Sequence, residues 1–91
     1  MSYFVYIIAN YTHKVLYTGV TNNLELRVLQ HKNKIVEGFT SRYNCNQLLY
    51  YQVFNFAQEA IDAEKKIKGW VRAKKDKLIN DFNPGWKDLS E

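Results

Sequence analysis

Arg27 and His31 are the first pair of residues whose types and spacing could do chemistry. They lie four residues apart in a segment that can form a helix, so their side chains would be neighbours on one helical face. Lys34 would continue that face one turn later. Because arginine can bind two phosphate oxygens and histidine can act as an acid or a base, the spacing suits a phosphate clamp. A solvated helix face would show the same pattern.

A carboxylate occupies a position where an apolar residue is expected. The spacing typical of a core-facing helical stripe is followed by Ala60, Glu64, Ile67 and Val71. Burying a glutamate costs free energy unless it is paired or binds a metal ion. Glu64 is therefore a candidate metal ligand, with an ion pair to Lys68 as the simpler alternative.

Two tyrosines are expected to meet in a β-hairpin. The aromatic and β-branched segments Tyr3–Ala9 and 15–21 are separated by polar residues, which is typical of two strands and a turn. If the loop is residues 10–13, Tyr6 faces Tyr17 across the antiparallel pair. The sequence thus predicts two phenols side by side.

Gly19 lies near the end of the second predicted strand. A glycine there would let the backbone turn tightly or approach a ligand closely. The tyrosine phenols have an ordinary pKa near 10, so base chemistry would need neighbouring cations or a metal-bound water.

The first helix is expected directly after this hairpin, where Asn22 or Asn23 can cap it. Its predicted apolar stripe is formed by Leu24, Val28 and Ile35. The helix is expected to end near Glu37 and Gly38, since glycine can adopt the left-handed conformation.

The remaining segments complete the set of elements that must position these residues. They are a polar loop over residues 38–46, a third strand over Gln47–Phe54, a helix over about 56–69 capped by Asn55, and a helix over about 70–81. The order β-β-α-β-α-α indicates an α+β domain whose helices flank a small three-stranded sheet, antiparallel or mixed.

Length and composition narrow the class of protein. With 91 residues, 46% hydrophobic and 24% charged, the chain is expected to form one domain over residues 1–91. Its single cysteine, Cys45, cannot form an internal disulfide, and no cysteine–histidine cluster suits a structural zinc site. Neither a signal peptide nor a membrane-spanning run is recognisable, so we expect a cytoplasmic protein and no membrane partner.

The formal net charge of +4 is concentrated in one part of the chain. Between positions 65 and 77 the single acid is Asp76, and the basic residues are Lys65, Lys66, Lys68, Arg72, Lys74, Lys75 and Lys77. Such a run could follow a phosphate backbone, and the nearby aromatics Trp70, Phe82 and Trp86 could stack on bases if exposed. A solvated helix face is the alternative.

Four features occur in one order along the chain: Val5-Tyr6-Ile7, Tyr17-Thr18-Gly19, Arg27 with His31, and Glu64. Their order and spacing resemble the GIY-YIG nuclease superfamily, particularly its small stand-alone bacterial members related to the N-terminal domain of excinuclease C. Val5 stands where the family has its first glycine, and Thr18 occupies the middle of the second motif. The resemblance implies a three-stranded antiparallel sheet with flanking helices and metal-dependent phosphodiester hydrolysis.

The resemblance also implies roles for individual residues. Tyr6 and Tyr17 match the paired family tyrosines, one of which orients or deprotonates the attacking water. Arg27 is similar to the arginine that stabilises charge on the phosphate, and His31 lies where a polar residue can assist proton transfer. Glu64 resembles the carboxylate that holds a single divalent cation, Mg²⁺ or Mn²⁺.

The family's late asparagine is best matched by Asn83, with Asn80 as the alternative, and Asn83 and Gly19 would support the site. Nucleic acid would be bound by Lys34, Lys65, Lys68, Arg72, Lys74 and Lys75. These features lead to the hypothesis of a metal-dependent endonuclease acting on DNA, with RNA left open.

Structured or damaged DNA is favoured over a long specific sequence because so short a chain offers little surface for reading bases. A protein partner could supply target choice. Two alternatives remain: a non-catalytic nucleic-acid-binding module with this fold, and an interaction subunit of a DNA repair or recombination complex.

Overall fold

A computed structural model describes residues 1–35 and 38–91. Its elements are β1 (Tyr3–Ala9), β2 (Leu16–Thr21), α1 (Leu24–Lys32), α2 (Phe39–Arg42), β3 (Gln47–Phe54), α3 (Ala57–Lys68) and α4 (Arg72–Phe82). The strands form one antiparallel sheet in the order β2-β1-β3. The predicted α+β class, a three-stranded antiparallel sheet flanked by helices, is confirmed. Among the described residues, no helix has the length and apolarity needed to cross a membrane.

The central strand β1 is covered on both faces, because successive side chains of a strand point to opposite sides. On one face the buried core consists of Val5, Ile7, Ala9, Leu49 and Tyr50 of the sheet with Ala60 and Ile67 of α3 and Ile79 of α4. On the other face it consists of Tyr6, Ile8, Val28, Cys45 and Leu48. Burial on both sides explains the nearly continuous apolar run in β1.

The hairpin register differs from the prediction. Tyr6 pairs with Gly19, whereas Tyr17 pairs with Ile8. Tyr6 and Tyr17 are therefore diagonal neighbours instead of directly opposed residues, and their ring centroids lie 6.5 Å apart. A shift of two residues keeps both side chains on the same face of the sheet, so the expected proximity of the phenols survives.

The register differs because the hairpin loop is longer than predicted. Strand pairing stops at Ala9 and Leu16, and the Asn10 side chain accepts a hydrogen bond from the Val15 backbone N–H at 3.0 Å. His13 adopts a positive φ of 63° inside the loop. Arg72 of α4 donates to the backbone carbonyls of His13 and Lys14, which ties this loop to the helical layer.

Helix α1 begins as predicted and ends early. Its cap is Asn23, whose side-chain oxygen accepts a hydrogen bond from the Leu26 N–H at 3.1 Å. The helix ends at Lys32, not near residues 37–38. The predicted end at Glu37 lies outside the described residues, and Gly38, with φ of 99°, begins the next helix instead.

Because α1 ends at Lys32, Lys34 and Ile35 do not lie on this helix as predicted. Lys34 has a left-handed φ of 57° beyond the end of α1, so it does not continue the helical face of Arg27 and His31. Ile35 is 64% exposed and does not join the apolar stripe. Both predictions were wrong because the chain turns away after α1, with the Lys34 N–H bonded to the His31 carbonyl.

Residues 38–46, predicted as a loop, contain the four-residue helix α2. Its Thr40 is buried, and the Thr40 carbonyl accepts a hydrogen bond from the Cys45 N–H at 2.9 Å. The polar composition of this segment carries no apolar periodicity, so the prediction of a loop followed from local pattern alone.

The C-terminal helices follow their predicted places. Gly69 ends α3, although the expected cap Asn55 is not used and Gln58 bonds Asp62 on the helix surface instead. Val71 is 72% exposed because it lies beyond this break and outside the buried stripe of α3.

Candidate active site

A chain of three buried polar side chains crosses the face of the sheet that α1 covers. The Tyr6 Oη lies 2.9 Å from His31 Nε2, and His31 Nδ1 lies 3.0 Å from Thr40 Oγ1. All three residues are almost completely shielded from solvent. Both ring nitrogens of His31 therefore have hydrogen-bond partners, as a buried imidazole requires.

The protonation of this chain follows from its surroundings. Burial, together with the positive charge of Arg27, lowers the pKa of His31 to about 4. Burial raises the pKa of Tyr6 far above its usual value, and the neighbouring Tyr17 adds to the effect. Both groups are therefore neutral at neutral pH.

A neutral imidazole has one N–H and one lone pair, so its two partners must take opposite roles. In one tautomer Tyr6 donates its O–H to Nε2 and Nδ1–H donates to Thr40. In the other tautomer Thr40 donates its O–H to Nδ1 and Nε2–H donates to Tyr6. Thr40 can serve either tautomer because a hydroxyl both donates and accepts.

Gly19 makes room for Tyr6. A Cβ atom added to Gly19 would lie 2.5 Å from both the Cζ and the Oη atoms of Tyr6, which is far inside van der Waals contact. The sequence predicted a tight turn or the close approach of a ligand at Gly19, whereas in the structure Gly19 lies within β2 and the Tyr6 ring packs against it. Gly19 therefore supports the hydrogen bond between Tyr6 and His31.

Tyr17 is the more exposed of the two tyrosines. Its ring centroid lies 6.0 Å from that of His31, and the Lys68 ammonium stands 5.6 Å from the centroid of the same ring. Because β2 is an edge strand, a lysine from α3 can reach this ring although α3 packs on the opposite face.

Arg27 lies one helical turn before His31 and is partly buried. Its positive charge lowers the pKa values of both His31 and Tyr6, although burial dominates the raised pKa of Tyr6. Within residues 1–35 and 38–91 the guanidinium has no carboxylate partner. Arg27 and His31 therefore lie one turn apart on the same helix, and the arginine charge acts on the imidazole.

Glu64 lies on α3 with its side chain only 15% exposed, and the Lys68 Nζ is 3.3 Å from its Oε2. The simpler alternative, an ion pair at i+4, is thus observed. The negative charge of Glu64 also contributes to the raised pKa of Tyr6, after burial and Tyr17. We refer to Tyr6, Tyr17, Arg27, His31 and Glu64 as the site cluster.

The site cluster suits a metal ion that needs few protein ligands. Across the described parts of the chain, no three His, Cys, Asp or Glu side chains group closely enough to form a metal cage. Mg²⁺ commonly keeps several waters and binds one or two carboxylates together with substrate phosphates. Glu64 fits such a ligand, and Lys68 would have to release it.

Asn83 lies apart from the site cluster. Its buried side chain donates to the carbonyls of Leu49 and Lys87 and accepts from the Lys87 N–H. These bonds join the end of α4 to β3 and to the C-terminal tail. The contacts support the fold, and none of these partners belongs to the site cluster.

The basic residues predicted to bind nucleic acid differ in exposure and in their contacts. Lys68 contacts the site cluster, Lys34 and Lys65 are exposed, and Lys75 is partly buried. Lys74 places its ammonium 4.5 Å from the ring centroid of Trp70.

Arg72 donates hydrogen bonds to backbone carbonyls of the hairpin loop and forms an ion pair with Asp76 at 2.7 Å. The candidate stacking residues also have intramolecular partners: Trp86 lies against His13, and Phe82 packs against Tyr50 and Tyr51.

Two residues that contact the site cluster were not predicted from the sequence. Thr40 binds His31, and Phe39 stacks on Tyr17 with ring centroids 6.0 Å apart. The sequence feature that could have indicated a turn before Phe39 and Thr40 is Gly38, because glycine readily adopts a positive φ. In the structure its φ is 99° at the start of α2.

Comparisons with known proteins agree with this geometry. The family model described as the GIY-YIG catalytic domain matches residues 2–78. A UPF0213 protein of Staphylococcus saprophyticus is 36% identical over 66 residues, covering 72% of this chain and 80% of that protein. A UPF0213 protein of Natronomonas pharaonis is 32% identical over 79 residues, covering 87% and 92%.

The solution NMR structure of a UPF0213 protein from Bacillus halodurans superimposes with a TM-score of 0.58 and 26% identity, covering 93% of this chain and 88% of that one. The span matched by the family model contains all five residues of the site cluster. By its sequence and by its fold, this chain belongs to the GIY-YIG family, a family of the nuclease type.

Proposed function

We propose that this protein is a metal-dependent endonuclease that hydrolyses phosphodiester bonds in DNA. The observation that carries the proposal is the buried chain from Tyr6 through His31 to Thr40, placed beside Arg27 and Tyr17. Such a chain keeps a neutral imidazole in a defined orientation, which is what a proton acceptor in catalysis requires.

The two tyrosines are assigned different tasks. Tyr17 is partly exposed, so we assign to it the contact with the attacking water. Tyr6 is buried and bonded to His31. In the tautomer with the lone pair on Nε2, Tyr6 can pass its own proton to His31 while its oxygen accepts a proton from the Tyr17 hydroxyl, which in turn takes the proton released by water. The proton thus ends on the imidazole.

Arg27 is assigned to the scissile phosphate. A guanidinium can donate two parallel hydrogen bonds to phosphate oxygens and stabilise the charge that develops on them. Burial is the larger cause of the lowered pKa of His31, and binding of a phosphate would offset the second cause, the positive charge of Arg27. His31 would then become a stronger base when substrate is present.

Glu64 is assigned to a divalent cation, Mg²⁺ or Mn²⁺. When bound, such an ion acts as a Lewis acid toward phosphate oxygens and water. The protein's part is to supply one carboxylate in a shielded position, and Lys68 must swing away from it.

The substrate is proposed to be structured or damaged DNA. Attraction to the phosphates of DNA is supported by the net charge of +4 and by the exposed Lys34 and Lys65. Such attraction does not depend on the base sequence of the DNA. A protein partner is proposed as one source of target choice, and RNA is included as an arm of the experiment.

The test is cleavage of end-labelled single-stranded, duplex and branched DNA and of RNA, with Mg²⁺, Mn²⁺ or EDTA. Metal-dependent cutting should be lost in Glu64→Gln and retained in Glu59→Gln, a matched change at an exposed position of the same helix. Cutting that persists unchanged in Glu64→Gln would show that this carboxylate is not the metal ligand.

The ion pair between Glu64 and Lys68 favours a second candidate, a nucleic-acid-binding module without turnover, because it occupies the only carboxylate of the site cluster. Such a module would bind DNA equally well with EDTA present and would release no new ends.

A further inference from the structure

Three aromatic rings lead from the site cluster to the protein surface. The ring of Tyr17 stacks on Phe39 with an interplanar angle of 29°. Phe39 in turn contacts Tyr43, with ring centroids 4.7 Å apart, and the Arg42 guanidinium lies 5.8 Å from the centroid of the Tyr43 ring. We call Tyr17, Phe39 and Tyr43 the aromatic ladder.

The outer part of the aromatic ladder is open to solvent. Phe39 is 46% exposed and Tyr43 is 42% exposed. Single exposed aromatic residues are ordinary on protein surfaces, but here two exposed rings touch each other and a residue of the site cluster. The contact with Tyr17 therefore distinguishes Phe39 and Tyr43 from isolated exposed aromatic residues.

The buried side of α2 holds the ladder in place. Thr40 points inward and bonds His31, so the neighbouring Phe39 is held outward, next to Tyr17. Residues 39 and 43 lie four positions apart and share one helical side. The hydrogen bond that orients the imidazole thus also orients the exposed rings.

The chemistry of the ladder suits a nucleobase. Aromatic faces bind any base by stacking, and a positive charge nearby can bind the adjoining phosphate. Positive charges stand at both ends of the ladder, with Lys68 over Tyr17 and Arg42 over Tyr43. A base inside a duplex is already stacked on both sides and has no free face to offer.

We propose that the aromatic ladder binds an unpaired nucleobase next to the phosphodiester bond that the site cluster cleaves. The position of that base relative to the cleaved bond rests on the proposed function. The substrate is then a single strand, or a duplex that carries an unpaired nucleotide.

The test uses an oligonucleotide with one 2-aminopurine, whose fluorescence is quenched by stacking, and EDTA to prevent cleavage. For the wild-type protein, binding of the single strand should quench the fluorescence. Phe39→Leu should weaken single-strand binding by about 5- to 150-fold, the range expected for loss of one base–aromatic stack, and should remove the quenching. Affinity for a plain duplex of the same length should stay unchanged.

Two further variants control for folding and for exposed aromatic residues in general. Phe39→Trp keeps a stacking surface and should retain binding and quenching. Phe56→Leu removes a ring that is 68% exposed at the start of α3 and should have no effect. Circular dichroism of each variant checks that the fold is preserved.

The inference is overturned if the wild-type protein binds the single strand without quenching, or fails to bind it. It is also overturned if Phe39→Leu binds the single strand as tightly as the wild-type protein does, or if it loses affinity for the single strand and for the duplex equally. Binding in EDTA separates this result from cleavage. Quenching that depends on Phe39 in a protein that never cuts would refute the proposed hydrolysis but leave the ladder as a base-binding site.

Discussion

Gly19→Ala is the substitution that tests the geometry of the site cluster most directly. The added methyl group would lie 2.5 Å from the Cζ and Oη atoms of Tyr6, so the ring must move. Forcing extra volume into a packed position costs about 1–3 kcal/mol. Displacing the ring also breaks its 2.9 Å bond to His31, and leaving a buried partner unsatisfied costs roughly 1–3 kcal/mol.

Alanine in a strand recovers about 0.5–1 kcal/mol relative to glycine, so the net loss in free energy of unfolding should be roughly 1–5 kcal/mol. In a domain of this size each kcal/mol lowers Tm by about 4–8 °C. Urea unfolding at neutral pH, with thermal melts beside it, measures the change.

Gly69→Ala is the matched control, because its added Cβ would lie 3.5 Å from the Lys66 carbonyl oxygen, an ordinary contact. It should leave stability within about 0.5 kcal/mol of wild type. Combining Gly19→Ala with Tyr6→Phe should cost less than the sum of the two single changes, because the Oη overlap is gone. A Gly19→Ala protein as stable as wild type would refute the claim that Tyr6 packs over this glycine.

Three further predictions concern the buried chain and the hairpin loop. Because the folded pKa of His31, about 4, lies below its ordinary 6.5, its neutral form stabilises the protein fully above pH 6.5. The free energy of unfolding should decrease by about 3 kcal/mol as the pH falls from 6.5 to 4. Urea unfolding of His31→Gln should show a smaller decrease in the free energy of unfolding over the same pH range. Thr40→Val leaves His31 Nδ1 without a partner and should lower stability by roughly 1–3 kcal/mol, with Thr40→Ser restoring most of it; an unchanged melt for the valine variant would contradict the bond. Arg72→Met removes the link from α4 to the hairpin loop and should speed amide exchange in NMR at His13 and Val15, whose N–H groups are hydrogen-bonded within the loop. Lys77→Met, an exposed change on the same helix, should not alter this exchange.

Much of the secondary structure was predictable because it depends on local pattern. Strands β1 and β3 have the predicted bounds, since apolar and β-branched runs are flanked by polar residues that favour turns. The break at Gly69 was also predictable. The end of α1 was not, because nothing local forbids the helix from continuing beyond Lys32.

The proximity of Tyr6 and Tyr17 was predictable from the hairpin, but their exact pairing was not. The hairpin prediction paired Tyr6 with Tyr17, and the observed register differs by two residues. Side chains alternate with a period of two along a strand, so this error leaves both phenols on the correct face. The longer loop contains a hydrogen bond between the Asn10 side chain and the Val15 N–H, which no hydrophobic pattern encodes.

The sequence by itself determined which groups are available for chemistry, because residue types and their order along the chain identify tyrosines, an arginine, a histidine and a glutamate on separate elements. Only the tertiary structure decided how they act together. Thr40 and Phe39 join the site because α2 folds back against His31 and Tyr17, and Lys68 reaches Tyr17 from the other face because β2 is an edge strand. These contacts join residues distant along the chain, and their free energy exists only once the sheet and helices are packed.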